Sequence, residues 1–291
     1  MFPAKFEYHA PSTVEAAIKL LGSGDGDVKL LAGGHSLLPL MKLRLAQPSA
    51  VVDIGRIQSL RGIRVDGGVL RIGPLTTHSE LESSEEIRKQ APLLSECARV
   101  IGDLQVRNCG TIGGSLAHAD PAGDLPAAVL ALDAQLVARG PKGERTIAIG
   151  DFFVDYLTTS LQGNEVLTEI RIPLQSKPRT GSAYLKMDHP ASHYALCGVA
   201  AVVTLGGPDT IEDCRVAITG VGPKAYRAAS VEAALRGKAA SDETLRAAVA
   251  TAAEGQDVNG DIHASSEYRA HLATVYARRA LESAVERARA L

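Results

Sequence analysis

Hydrophobic and polar positions change their spacing twice along the chain and divide it into three stretches. Residues 1–56 show a helical pattern that begins after Ser12 or Thr13, then a short apolar run, VKLL, and a second run, AVVDIG (50–55). Two short apolar runs on either side of a helical segment predict parallel strands joined by a crossover helix. We therefore expect residues 1–56 to form a small βαβ unit.

Residues 57–176 combine strand and helix patterns. The strand pattern GGVLRIG leads into a helix that we expect to be capped near Thr77, and IRKQAPLLSECARVIG predicts one helix ending near Gly102. Further strand patterns follow in ERTIAIGDF and NEVLTEIRIP. This mixture predicts an α+β unit.

A third unit is expected over residues 177–291. It is preceded by LQSKPRTGS, around 174–182, which has the composition of a linker. The segments SAYLKMD, ALCGVAAVVTL and CRVAITGVG then predict three antiparallel strands, and the alanine-rich remainder predicts helices. One of these helices begins at SDET, where an N-cap serine is followed by acidic residues in the first turn.

Composition and charge exclude several classes of protein. The 31 basic and 33 acidic residues give a formal net charge of -2, and no basic runs occur, so nucleic acid is not an expected partner. No apolar run approaches the ~20 residues of a transmembrane helix, and the N-terminus lacks a signal-peptide pattern, so we expect a cytoplasmic protein. The four cysteines, at 97, 109, 197 and 214, fit no metal-ligand spacing, and we expect no metal site.

Two glycine-rich stretches interrupt the regular patterns. Gly33-Gly34 ends the strand VKLL, and NCGTIGGSLAHADPAGD (108–124) follows the helix that ends near Gly102. Because glycine has no Cβ, its peptide N–H groups can approach a phosphate closely and form an anion-binding nest. Hydroxyls of Ser36, Thr111 and Ser115 could add donors. Two such loops together predict a ligand with two linked phosphates, as in a dinucleotide cofactor.

The aspartates of the second loop fit the other half of such a ligand. Carboxylates of Asp120 and Asp124 only accept hydrogen bonds, which suits sugar or ribityl hydroxyls. Asp124 also stands directly before the helical segment LPAAVL, so a helix N-cap is the alternative role. A plain structural turn remains the alternative for each glycine pair taken alone.

Two familiar motifs are not present. GSGDG (22–26) is not a dinucleotide fingerprint, because it follows a helix and lacks the G-x-G-x-x-G spacing, and we expect it to end that helix. GGHSLLP is not a nucleophile elbow, and the adjacent side chains of His35 and Ser36 diverge too far for proton transfer. His78, His263 and His271 look like ordinary surface or helix histidines.

The two glycine stretches resemble those of a known family. AGGHS (32–36) and TIGG (111–114) are similar to the paired flavin-pyrophosphate motifs in the FAD-binding medium subunit of molybdenum hydroxylases, the family of aerobic carbon monoxide dehydrogenase and xanthine dehydrogenase. The similarity runs almost end to end and includes FEYHAPSTVEAAIKLL, LLPLMKLRLAQP, IGPLTTHSEL and FFVDYLTT.

The resemblance implies a fold and a cofactor. The fold would be α+β: a two-subdomain FAD-binding fold of the vanillyl-alcohol-oxidase type, then a C-terminal three-stranded antiparallel sheet with a helical bundle. FAD would be bound non-covalently between the first two parts. The residues that the resemblance assigns to it are Lys29, Ala32, Gly33, Gly34, His35, Ser36, Leu37, Ile101, Thr111, Gly113, Gly114, Ser115, Asp120, Asp124, Leu167, Lys186 and Tyr194.

Within that set the resemblance implies different roles. The glycine loops would hold the diphosphate, and His35 would orient the first loop by hydrogen bonding. Lys29 and Leu167 would lie near the adenine, while Lys186 and Tyr194 would lie near the flavin ring. Between Lys186 and Tyr194 this chain has MDHPASH, where many relatives carry an arginine and an aspartate.

The resemblance also implies an activity and partners. The chain would accept electrons from two [2Fe–2S] clusters of a small subunit and pass them to an external acceptor, quinone or NAD. A large molybdopterin subunit would oxidise the substrate, and the complex would be a dimer of heterotrimers that could associate with the inner face of the membrane. Carbon monoxide is the first expectation for the substrate, with xanthine, nicotinate and aldehydes as alternatives.

Two functions of other classes remain open from the sequence. A stand-alone flavin oxidase or dehydrogenase could carry its flavin covalently on His35. A scaffold subunit without flavin is the other alternative, and the intact glycines at 33, 34, 113 and 114 are evidence against it.

Overall fold

The fold is known from a computed structural model, which describes residues 1–23, 27–174 and 177–291. The expected helix-ending turn at 22–26 and the expected linker at 174–182 lie partly outside the described residues. The three-part division at 56/57 and 176/177 stays a prediction, and its second boundary falls at the edge of an undescribed segment.

The first sheet confirms the predicted parallel pair and adds a third strand. Its elements are β1 (Glu7–His9), α1 (Val14–Gly22), β2 (Val28–Leu31), α2 (Leu37–Lys42) and β3 (Ala50–Asp53). The strand order is β1-β3-β2, with both pairings parallel. Thr13 is the N-cap of α1, where its hydroxyl accepts a hydrogen bond from the Ala16 amide.

The second sheet is antiparallel and has five strands. Its strands are β4 (Ile63–Asp66), β5 (Val69–Ile72), β6 (Gln135–Gly140), β7 (Gly143–Ala148) and β10 (Val166–Pro173), in the order β4-β5-β10-β6-β7. A small hairpin, β8 (Phe153–Asp155) and β9 (Thr158–Thr159), lies between β7 and β10 in the chain. Residues Gln58–Leu60 and Ile149–Asp151 form short 3₁₀ turns.

Six helices connect the strands of this second unit. They are α3 (His78–Ser83), α4 (Glu85–Gln90), α5 (Pro92–Arg99), α6 (Leu104–Cys109), α7 (Ile112–His118) and α8 (Asp124–Ala131). Thr77 caps α3 in a full capping box with Glu80, as predicted. The prediction of a single helix over IRKQAPLLSECARVIG was wrong: α4 ends before Ala91 and α5 starts at Pro92, which cannot continue a helix but suits a first turn.

The third sheet contains the three predicted antiparallel strands and one short addition. Its elements are β11 (Thr180–Asp188), β12 (Ala195–Leu205), β13 (Ile211–Thr219), β14 (Tyr226–Arg227), α9 (Ala229–Leu235), α10 (Asp242–Val249) and α11 (Ser266–Arg289). Ser241 caps α10, as predicted, by accepting from the Thr244 amide. In the described part of the chain, no helix has the length and apolar character to cross a bilayer.

Helices cover both faces of the third sheet, which explains why every residue of β12 is buried. Val199 and Ala201 face a core shared with α11, whereas Ala200 and Val202 face the core of the second unit, next to α8. The third sheet is therefore fixed directly against the helix that follows the second glycine loop.

Candidate cofactor site

The two glycine loops lie in contact. The first loop connects β2 to α2, and the second connects α6 to α7. A Cβ atom on Gly33 would stand 2.9 Å from the Cα atom of Gly110 and would overlap the Cys109 carbonyl group. Gly34 has a φ of +74°, a left-handed conformation that favours glycine. Gly33 is therefore needed for the close approach of the two loops, and Gly34 is needed for the turn of the first loop itself.

The first loop presents open hydrogen-bond donors. Within the described residues, the amide N–H groups of residues 33–37 have no protein acceptor, and the hydroxyl of Ser36 makes no capping bond to α2. The Nδ1 atom of His35 lies 2.9 Å from the carbonyl oxygen of Gly33. The contact turns the ring of His35 back onto its own loop, and the expected role of His35 in orienting the loop stays a prediction. A run of open amides at the start of a helix is an arrangement that binds anions.

The second loop differs from the expectation that its amides are open. The N–H groups of Ile112 and Gly113 donate to the carbonyls of Thr76 and Pro74, at 3.0 and 2.9 Å. The N–H of Gly114 donates to Oγ1 of Thr111, the N-cap of α7, at 3.1 Å. Sequence patterns could not reveal this, because Thr76 and Pro74 belong to a neighbouring loop.

Two donors of the second loop remain open in the described structure. Thr111 pairs with Thr77 in an isolated antiparallel bridge. The residues on either side make the hydrogen bonds of this bridge. The N–H group of Thr111 therefore points away from the bridge. The hydroxyl of Ser115 has no partner among the described residues. The second loop thus offers one amide, one hydroxyl and the first turn of a helix.

Different surroundings favour glycine at positions 113 and 114. A Cβ on Gly113 would lie 2.9 Å from Cα and 2.7 Å from the carbonyl oxygen of Pro74, so packing alone excludes a side chain there. A Cβ on Gly114 would meet only Oγ1 of Thr111, at 2.9 Å. The protein leaves space above Gly114, which is what a bound ligand would require.

His78 supports the second loop, and sequence reasoning missed it. Its amide donates to the Gly110 carbonyl at 2.9 Å, and a Cβ on Gly110 would lie 2.7 Å from the His78 ring. Burial, followed by the charges of His35 and Arg107, lowers the pKa of His78 to about 4. A neutral ring therefore packs behind the loop. Of the two expectations from the sequence, a surface or a helix histidine, the second holds, because His78 is the first residue of α3 and is buried.

Asp124 lies in a buried cluster and is not a helix N-cap. The N-cap of α8 is Gly123, and Asp124 is the first helical residue. One of its carboxylate oxygens accepts from the Tyr184 hydroxyl at 2.6 Å, and the other lies 3.1 Å from Nζ of Lys186. Burial raises the pKa of Asp124 to about 6, against the opposing effects of Lys186 and Tyr184.

Lys186 joins three segments at this cluster. Besides Asp124, its ammonium group donates to the carbonyl oxygens of Val100 and His193, each at 2.7 Å. Its side chain is only 5% exposed. Because all three of its protons have acceptors, the structure gives Lys186 a fixed position between α8, the end of α5 and the hairpin 188–194 that joins β11 to β12.

Tyr194 and Asp120 are neighbours at the rim of the site. The amide of Ala195 donates to the Ala122 carbonyl at 3.3 Å, which attaches the hairpin 188–194 to the loop 119–124. Burial raises the pKa of Tyr194, and the charges of Asp120 and Asp124 raise it further. The Asp120 carboxylate accepts from the Ala122 amide at 2.9 Å. Tyr194 as a whole residue remains 45% exposed.

The other predicted residues have less specific surroundings. Lys29 is exposed on β2 and pairs with Asp27 at 3.0 Å, while Ile101 packs at the edge of the second unit's core. Leu167 is buried within that core. Ala32 and Leu37 flank the first loop. Their contacts to a cofactor stay predictions.

The residues present fit a cofactor with a diphosphate. Among the described residues, six amides and two hydroxyls on the two adjoining loops have no protein partner, and no described side chain fills the space above Gly114. Residues 1–23, 27–174 and 177–291 contain no cluster of three or more histidine, cysteine or acidic side chains that could hold a metal ion.

Comparisons with known proteins define the class of this fold and site. A family model described as the FAD binding domain in molybdopterin dehydrogenase matches residues 4–175, and one described as the CO dehydrogenase flavoprotein C-terminal domain matches residues 182–284. The chain belongs to this family of FAD-binding subunits, which confirms the expected fold class and cofactor.

Particular relatives cover nearly the whole chain. The carbon monoxide dehydrogenase medium chain of Hydrogenophaga pseudoflava is 43% identical over 284 residues, 98% of both chains. A solved structure of carbon monoxide dehydrogenase from the same organism superposes with a TM-score of 0.95, 45% identity and 99% coverage of each chain. The 6-hydroxypseudooxynicotine dehydrogenase complex subunit alpha of Paenarthrobacter nicotinovorans is 38% identical over 289 residues, 99% of this chain and 97% of that one.

Proposed function

We propose that this chain is the electron-transferring FAD subunit of a molybdenum hydroxylase complex. A small subunit with two [2Fe–2S] clusters donates the electrons, and a quinone or NAD accepts them. A large molybdopterin subunit oxidises the substrate, and the three chain types form a dimer of heterotrimers in the cytoplasm, at the inner face of the membrane. The observation that carries the proposal is the row of open amides at residues 33–37, on a loop that touches the second glycine loop, where the space above Gly114 is open.

The chain's own residues would bind and orient the cofactor. When bound, FAD supplies a two-electron carrier that can exchange electrons with one-electron partners. The amides of residues 33–37, with Thr111 and Ser115, would hold the diphosphate. Tyr194 and Lys186 would lie at the flavin end, where Asp124 and two backbone carbonyls fix the lysine. Asp120, at the rim, would accept hydrogen bonds from ribityl or ribose hydroxyls.

We propose carbon monoxide as the substrate of the complex. Two of the similarities described above, one in sequence and one in structure, are to carbon monoxide dehydrogenase. The similarity to a subunit of a nicotine-derivative dehydrogenase makes a heterocyclic substrate the alternative. Co-expression with the two partner chains and reduction of the clusters by carbon monoxide would support the first, and reduction only by a heterocycle would support the second.

Acid precipitation of the purified protein tests the mode of flavin binding. We expect all of the yellow flavin in the supernatant, because the ring of His35 is turned back onto its own loop through the Nδ1 contact with Gly33. Flavin that stays with the precipitate and is released by a His35→Ala substitution would support a covalent flavin enzyme. A purified complex without flavin would support the scaffold alternative.

A further inference from the structure

The hairpin 188–194 is closed by its own backbone. The amide of His189 donates to the Tyr194 carbonyl, and the amide of His193 donates to the His189 carbonyl, both at 2.8 Å. His193 adopts a left-handed backbone conformation, with a φ of +58°, which is unfavourable for a residue that is not glycine. Other contacts must therefore hold this turn in place.

The ring of His189 supplies such contacts from inside the turn. Its Nδ1 atom accepts from the amides of Ala191 and Ser192, each at 3.3 Å, and lies 3.2 Å from the Ser192 hydroxyl. Because two of these groups are N–H donors, Nδ1 carries a lone pair and the ring proton lies on Nε2. The imidazole thus acts on the turn as the side chain of an asparagine does in an Asx turn.

Ser192 connects this ring to Tyr194. The Ser192 hydroxyl accepts from the Tyr194 amide at 3.4 Å and can give its own proton to Nδ1 of His189. Lys186 holds the same segment from the other side through the His193 carbonyl. Ser192 thus links the lone pair of His189 to the backbone of Tyr194.

The outer side of the ring packs against a second fixed segment. The rings of His189 and His263 have centroids 4.4 Å apart and meet edge to face, at 64°. The amide of His263 donates to Asp261, which pairs with Arg269 at 2.6 Å. Arg269 is buried and donates to the carbonyls of Leu196 and Gly220. His189 thus bridges the hairpin and a rigid part of the third unit.

We infer that His189 is a positioning residue for Tyr194 at the flavin. Its neutral Nδ1 atom orders the hairpin 188–194 and so sets where the tyrosine ring lies. This inference rests on the proposed function for the presence of flavin beside Tyr194, whereas the ordering of the hairpin stands on the contacts alone. His189 acts through the backbone of the hairpin and needs no contact with the cofactor.

Amide hydrogen exchange of the purified holoprotein tests the ordering. In His189→Leu, the amides of Ala191 and Ser192 should exchange roughly tenfold faster, the effect of losing one acceptor. In His189→Asn, an oxygen replaces Nδ1 and exchange should return to the wild-type rate. His271→Leu, at an exposed site on α11, should change nothing in the hairpin. Unchanged exchange in His189→Leu, or fast exchange in His189→Asn, would overturn the inference.

Flavin fluorescence of the same proteins tests the link to the cofactor. FAD content should stay at the wild-type level in both His189 variants, because the diphosphate loops are separate from the hairpin. Fluorescence should rise in His189→Leu and in Tyr194→Leu, as an aromatic quencher leaves the flavin, and should be normal in His189→Asn. If fluorescence rises in Tyr194→Leu but not in His189→Leu, the inference about His189 is wrong, whereas the proposed position of Tyr194 is not affected. If fluorescence does not rise in Tyr194→Leu, both the inference about His189 and the proposed position of Tyr194 are wrong.

Discussion

The backbone of Gly33 packs against the carbonyl group of Cys109 so closely that no side chain fits between them. This contact joins the turn after β2 to the turn before α7, although more than seventy residues separate them in the chain. This contact supports the proposal that the open amides of the first turn and the open donors Thr111 and Ser115 of the second serve one site. A diphosphate that bridges the two turns would satisfy donors that the protein leaves unpaired.

Replacement of Gly114 should separate cofactor binding from folding. A valine at this position would fill the space above the loop while meeting only Oγ1 of Thr111 within the protein. We expect Gly114→Val to fold with a loss of stability no larger than that of the Thr111 cap, about 0.5–2 kcal/mol, and to lose flavin, with FAD affinity reduced by roughly 10- to 100-fold, the range for one hydrogen bond to a charged group. Titration of the apoprotein with FAD measures this change.

Gly163→Val is the matched control for that substitution. Gly163 is exposed and lacks a left-handed backbone, and a Cβ atom added there would meet no other atom within 4 Å. The variant should therefore bind FAD as the wild type does. Equal FAD affinity in both variants would mean that no ligand occupies the space above Gly114.

Replacement of Gly34 should weaken folding itself. Its φ of +74° costs a residue with a Cβ about 1–2 kcal/mol, and the new Cβ would also approach the Leu38 side chain to 2.8 Å. Gly34→Ala should lower the free energy of unfolding in urea by at least that amount, even without FAD. Gly150→Ala, at an open site with an ordinary backbone, should cost far less. Equal losses would show that the left-handed turn is not strained.

The charge state of Asp124 should appear in the pH dependence of stability. Burial raises its pKa from 3.8 to about 6 in the folded chain, so between these values the folded state binds more protons than the unfolded state. Stability from this group is full below pH 4 and is lost as the pH rises through 6. The wild type should thus lose about 3 kcal/mol relative to Asp124→Asn over this range. If the free energies of unfolding of the two proteins, measured in urea, changed in parallel with pH, this expected loss would be refuted.

Removal of Lys186 should have its largest effect at alkaline pH. In Lys186→Met, an ionised Asp124 is left buried without its cation, which costs about 3–5 kcal/mol. At pH 5 the cost should be smaller, because loss of the lysine raises the Asp124 pKa further and the carboxyl group takes up a proton. The exposed pair Lys177–Glu212 offers a control, since Lys177→Met should cost less than ~1 kcal/mol at either pH. A pH-independent cost for Lys186→Met would contradict the buried pairing of Lys186 with Asp124.

Local patterns in the sequence were sufficient for most of the fold. Apolar runs predicted the parallel pair in the first unit and the three long strands of the third, and Thr77 and Ser241 were found as helix caps because capping depends on neighbouring residues only. The single helix predicted across Pro92 was wrong, because the helical periodicity continues across a residue that interrupts the backbone hydrogen bonding.

Long-range contacts explain what the sequence could not supply at the site. Gly113 looks like a ligand-binding glycine, yet Pro74 takes both its amide and its side-chain space. Asp124 looks like an N-cap, but Tyr184 and Lys186, about sixty residues later, bind its carboxylate. His78 carries no local signal at all, since its partner Gly110 comes next to it only in the folded chain.

A crystal structure of the chain with FAD would decide whether the two loops share one diphosphate. The measurement is the distance from each of the two phosphorus atoms to the two loops. We expect phosphate oxygens within hydrogen-bonding distance of amides among residues 33–37 and of Thr111 or Ser115, with the diphosphate passing over Gly114. Phosphates bound elsewhere, with those amides still open, would contradict a shared diphosphate site.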